Sequence, residues 1–199
     1  LASGPAPVIE ALQPAAAVQG GTTEILVTGK HLTDLESVVF GPTPGISALI
    51  SSHKPGQARV TVTTTAATPA NTCDLRLVTR WGVSNAIPLY ISKAPVVRVQ
   101  ARAGAGTLIP GFPVVLTGAI KRPQQGDRIQ FSGRARRPVL FQVTAASMGS
   151  MMEPAVTVED DAGRTLAWED TGHDGDASVR FIPPRDGPYH LVVRDLRHR

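Results

Sequence analysis

Arg59-Val60-Thr61-Val62-Thr63 alternates polar and apolar residues with a period of two. In an extended chain that period places both valines on one face and Arg59, Thr61 and Thr63 on the other. Cys73-Asp74-Leu75-Arg76-Leu77 repeats the pattern, with the cysteine and both leucines against Asp74 and Arg76. A strand with one dry and one wet side belongs to an antiparallel sheet. Working outward, further strands are expected over 22–28, 36–40, 58–64, 73–79 and 85–91. A second series is expected over 113–120, 127–131, 138–145, 155–159, 177–182 and 189–195. Asp160-Asp161-Ala162-Gly163, Asp174-Gly175 and Asp186-Gly187 supply turn residues that tolerate positive φ. Short strands separated by such turns read as all-β sandwiches and not as βαβ units.

The chain has 199 residues, and sandwiches commonly use about 100 each, so two modules are expected. The pattern breaks around Ser92–Pro95, which sets the first module at 1–93 and the second at 94–199. With 19 Gly and 17 Pro, turns are plentiful and long helices are disfavoured. The net charge is +4; through Lys93 there are six basic and five acidic residues, and beyond it fourteen and eleven. Neither module is basic enough for a nucleic-acid partner. Arg134, Arg136, Arg137 and the tail Arg194, Arg197, His198 and Arg199 read as solvated surface, because no aromatic residues interleave with them. Cys73 is the single cysteine, so no internal disulfide forms, and its place in the alternation makes it a small core residue. No apolar run reaches the length of a membrane span. The chain opens at Leu1 and not at Met, as expected of a processed product or a fragment.

Gly20-Gly21-Thr22-Thr23-Glu24-Ile25-Leu26-Val27-Thr28-Gly29-Lys30-His31-Leu32 resembles the opening hairpin of the IPT/TIG family of immunoglobulin-like domains. Pro14 before it, Val38-Val39-Phe40-Gly41 after it and Leu75 to Asn85 near the module's end fit the same family. In that reading Gly29 permits a sharp exit from a strand and Gly82 a hairpin turn. From Phe112 onward the chain resembles the bacterial pre-peptidase C-terminal (PPC) domain, a jelly-roll-like sandwich. The matching pieces are Pro113 to Ile120, Gly126 to Phe131, Ala145 to Ser150 with Glu153-Pro154, Asp161 to Ala167, Glu169-Asp170, Asp174 and Asp176, and Asp186-Gly187-Pro188-Tyr189. Two departures stand out. Lys93-Ala94-Pro95-Val96-Val97 occupies a linker that is often acidic, and Glu153 replaces the usual Asp. The chain also stops short of an expected closing strand.

The tandem is similar to large exported proteins of planctomycete-type bacteria. The resemblance implies a non-catalytic accessory region, extracellular, on the cell surface or periplasmic. Its partner would be a protein or polysaccharide surface, or a catalytic domain of the same polypeptide. The alternative is a pro-enzyme or substrate-targeting segment of a secreted protease, stabilised by calcium.

Glu169, Asp170, Asp174 and Asp176 lie within eight residues on a loop with two glycines. Calcium takes six to eight oxygens, many of them carboxylates, so this loop is the candidate metal site; Asp127 joins it if the sandwich brings the two together. The spacing is not that of an EF-hand, and an exposed turn has the same composition. His173 and Asp174 with Ser147 or Ser178 have the residue types of a hydrolytic triad, but no Gly-x-Ser-x-Gly elbow accompanies them. The remaining histidines are too scattered for zinc. Trp81 and Trp168 are the only tryptophans. Trp81 falls in a turn, where a single exposed platform for a sugar is conceivable. Trp168 is expected to pack in the core or cap the sandwich end, alternating with Leu166. Tyr189 after Asp186-Gly187 is expected to act as a corner tyrosine that bonds backbone.

Overall fold

The computed structural model describes residues 4–99, 106–120, 126–170 and 175–198. They are all-β, with two short 3-10 turns at Ala146–Met148 and Leu196–His198 and no α-helix. Among the described residues no helix is long and apolar enough to cross a membrane. The chain divides into two compact units: Leu1–Arg98 with Val115–Thr117, and Val99–Val114 with Gly118–Arg199.

The first unit contains β1 (Val8–Gln13), β2 (Ala16–Val18), β3 (Thr22–Lys30), β4 (Leu35–Phe40), β5 (Ile46–Lys54), β6 (Gln57–Thr64), β7 (Thr72–Thr79), β8 (Gly82–Val83), β9 (Ile87–Ser92) and β10 (Val96–Arg98). After β11 (Thr107–Leu108), which belongs to the second unit, β12 (Val115–Thr117) pairs in parallel with β10. One sheet has the order β1-β3-β6-β5 and the other β2-β9-β7-β4. These correspond to the A-B-E-D and G-F-C orders of a constant-type immunoglobulin sandwich, with β2 added beside β9. The alternating segments explain the pairing. Ile25, Val27, Val60 and Val62 from one sheet and Leu75, Leu77, Leu89 and Ile91 from the other are fully buried in one cluster. Each such side chain contributes about 1.5–3 kcal/mol on leaving water.

Cys73 is buried in the same cluster, as its alternation requires, and burial pushes its thiol above the ordinary range. Gly29 does not end a strand as expected. It lies inside β3 opposite Ile9, where a Cβ would run into the Val8 carbonyl. The need is for close approach of β1, not for a turn. Asn85 fastens the same strand: its Nδ2 donates to the Ile9 carbonyl at 3.0 Å, and its Oδ1 accepts from the Ile9 amide at 2.8 Å.

The second unit contains β13 (Gly126–Gly133), β14 (Val139–Val143), β15 (Pro154–Glu159), β16 (Thr165–Glu169), β17 (Ala177–Phe181) and β18 (Gly187–Asp195). A five-stranded sheet runs β11-β13-β18-β15-β16, and β14 pairs with β17. Its core is aromatic. Phe131 stacks on Tyr189 with ring centroids 5.8 Å apart, and Phe141 and Phe181 from the small sheet meet Phe131 at 5.0 and 6.3 Å. Tyr189 is buried, and its hydroxyl donates to the Arg185 carbonyl at 2.9 Å, the corner bond expected from the sequence. Gly133 makes room for that ring, since a Cβ there would stand 2.7 Å from it.

Candidate functional site

Of the candidate acidic residues that the structure describes, Asp127 lies on β13, Glu169 and Asp170 at the end of β16, and Asp176 just before β17. Glu169 ends β16 and is exposed, as is Asp170. Asp174 and His173 lie outside the described residues. Asp176 is committed locally: Oδ1 accepts from the Ala145 amide at 2.7 Å and the Ser147 amide at 3.4 Å, and Oδ2 accepts from the Ser147 hydroxyl. Burial raises the Asp176 carboxyl, but the bonds from Ser147, Ala145 and Ala146 outweigh it and hold the group below its usual range. The side chain therefore fastens the 3-10 turn at Ala146–Met148 to the start of β17. The hydroxyl of Ser147 is spent on the same bond.

Asp127 faces inward on β13. The register runs Asp127–Val193–Val156–Glu169 across four strands, so Asp127 and Glu169 share a row but stand three strand spacings apart, about 14 Å. Ligands of one calcium ion lie within 2.3–2.6 Å of it. Among the described residues no three His, Cys, Asp or Glu side chains come together to hold a metal ion. Asp127 is 8% exposed, its Oδ1 finds no hydrogen-bond partner among the described residues, and burial raises its carboxyl pKa. The other acidic group closes the β15–β16 hairpin. Asp160 accepts from the amides of Ala162 and Arg164 at 3.0 and 2.9 Å and from Arg164 Nε at 2.8 Å, and the Arg164 amide and side chain hold its carboxyl low.

The opposite face of the five-stranded sheet carries a feature that the sequence reading placed elsewhere. Trp168 is 66% exposed and Leu166 41%, so Trp168 is not a core residue. The cause is register: Trp168 pairs with Thr157, whose side chain points away from the buried Val156 and Val158. β16 is also the edge strand of this sheet among the described residues. The row Arg128–Val192–Thr157–Trp168 crosses this outer face, and beside it runs Gln130–His190–Glu159–Thr165.

Glu159 is 11% exposed at its side chain and accepts from Arg128 Nη1 at 2.5 Å, with Arg194 Nη2 at 4.0 Å from its other oxygen. Arg128 and Arg194 keep 39% and 49% of their side chains exposed. Nδ1 of His190 is buried and has no hydrogen-bond partner among the described residues. An exposed indole and two half-exposed guanidiniums thus stand on one sheet face, where they offer a stacking surface and hydrogen-bond donors.

Trp81 occupies the turn expected of it, between β7 and β8. Its ring is less available than that of Trp168: Gly4 lies so close that a Cβ there would come within 2.8 Å, and the Arg80 guanidinium sits 5.5 Å over it. In the same unit an open groove of about 390 Å³ separates the edge strands β4 and β5, lined by Leu35, Val38, Leu49 and His53 among others.

The fold defines the class as an all-β sandwich protein. No protein-family model matches the chain, and no curated protein does. Among solved structures it is similar to SGBP-B from a complex xyloglucan utilization locus in Bacteroides uniformis, at 12% identity and TM-score 0.35, over 95% of this chain and 71% of that one. It is similar to the Yersinia pseudotuberculosis adhesin InvE at 11% identity and TM-score 0.32, over 96% of this chain and 55% of that one. Lac15 from a marine microbial metagenome follows at 11% identity and TM-score 0.23, over 91% of this chain and 50% of that one. The chain thus spans about half the length of the last two. At these TM-scores the likenesses carry no inference about site or activity.

Proposed function

We propose that the chain is a non-catalytic binding region of an exported or cell-surface protein, an IPT/TIG-like module followed by a PPC-like one, and that it engages a polysaccharide. The observation that supports this reading is the placement of Trp168. Trp168 is 66% exposed, and its place on a paired strand presents the indole ring to solvent, where a ligand can bury it. Sugar rings present flat C–H faces that stack on indole, while Arg128, Glu159 and Arg194 on the same sheet face offer polar partners for hydroxyl groups. The strand order of the first unit and the ordered motifs from Phe112 to Tyr189 support the two family resemblances.

The test is a screen of immobilised polysaccharides with the wild-type chain, Trp168→Ala and Trp81→Ala. Binding lost in Trp168→Ala and kept in Trp81→Ala is the expected result. If all three proteins behave alike, the outer face is not the binding surface.

A further inference from the structure

We infer that the ligand of the outer face is an acidic polysaccharide bearing uronate carboxylates, stacked on Trp168 and paired with Arg194 and Arg128. This rests on the polysaccharide reading above and narrows it to a chemical class.

The argument is one of charge. A single carboxylate, Glu159, serves two guanidiniums. Arg128 takes one oxygen at 2.5 Å, whereas Arg194 at 4.0 Å is beyond hydrogen-bond reach, so Glu159 does not occupy its donors. One positive charge is therefore left over within the trio, on a guanidinium about half exposed. A guanidinium is a planar fork of donors that fits a carboxylate better than it fits a hydroxyl. His190 lies next to Glu159 in its row and contributes no negative charge.

The backbones at Trp168 and Arg128 stand at the two ends of a four-strand row, about 14 Å apart, and Arg194 lies on β18 between them in an adjacent row. The Arg128 guanidinium reaches back to Glu159 on β15, the strand next to that of Trp168. The cationic groups and the indole thus lie over neighbouring strands, where one sugar chain can reach both. An extended peptide would instead pair its backbone along the edge strand β16, and poly-L-glutamate tests for that ligand.

Affinity electrophoresis and titration calorimetry of the full chain would use three probes: polygalacturonate, neutral hydroxyethylcellulose and poly-L-glutamate, which carries carboxylates without sugar rings. Polygalacturonate is expected to bind, and Trp168→Ala to weaken it about tenfold, the size typical of losing one stacking platform. Arg194→Ala is expected to weaken it several-fold and to flatten its dependence on salt. Both side chains are on the surface, so both variants are expected to melt as the wild type does.

Equal binding of hydroxyethylcellulose, with Arg194→Ala unchanged, would overturn the acidic ligand while leaving the polysaccharide reading intact. Poly-L-glutamate held as tightly as polygalacturonate would overturn it in favour of an acidic peptide. Binding of no polysaccharide at all would sink both.

Discussion

Asp127 is a carboxylate on the dry side of a sheet, with Val193 beside it and Ile129 and Phe131 following on the same face. Desolvation disfavours its charged form, so its folded pKa lies above the unfolded value. Between the two values the native chain binds more protons than the unfolded one, and stability falls as pH rises through that window. Asp127→Asn removes the ionisation. The variant is expected to match the wild type near pH 3, where both are neutral, and to be the more stable at pH 7; chemical denaturation at the two pH values checks it. Parallel curves at both would mean that Asp127 is not desolvated. Asp176 has the opposite sign: its lowered pKa contributes stability present at neutral pH and lost as acid protonates it. Asp176→Ala is expected to cost about 1 kcal/mol through the bonds it gives up at Ala145 and Ser147. Because those bonds occupy the carboxylate, millimolar calcium is expected to leave the melting temperature of the wild type unchanged. A rise on adding calcium that chelator reverses would establish the loop as a metal site.

At the level of elements, the strands that were legible are those with a clean dry face. β6, β7 and β13 each bury alternate residues, and the sequence shows that alternation directly. β5 was not legible. Ile46-Ser47-Ala48-Leu49-Ile50-Ser51 lies at a sheet edge with Leu49 turned to solvent, so its pattern carries little contrast. β16 failed for a related reason: its apolar residues, Leu166 and Trp168, sit on the wet side, and a rule that sends apolar residues inward reverses the strand. That reversal is what hid the candidate face. The acidic loop drew attention by composition alone, whereas the trio Arg128, Glu159 and Arg194 comes from three strands far apart in sequence and only the register assembles it. Gly29 shows the same limit, because the demand for a glycine comes from β1 across the sheet. Gly29→Ala is expected to destabilise the first unit by about 1–3 kcal/mol, the range for a forced backbone shift, read as a lower denaturation midpoint. An unchanged midpoint would mean that β1 and β3 part easily.

For the molecule as a whole, each unit packs its strands around a core, and sandwiches of this kind host many unrelated activities. Function therefore has to be read from the surface, where an exposed indole shares a sheet face with Glu159, its partner Arg128 and the less engaged Arg194. The most direct measurement is fluorescence of the full chain carrying Trp81→Phe, which leaves Trp168 as its sole indole. Titrated with polygalacturonate, the emission is expected to shift to the blue and saturate as a sugar ring displaces water from the indole, with no such change in Trp168→Phe. An emission maximum that stays fixed while the polysaccharide binds would contradict the assignment of this face.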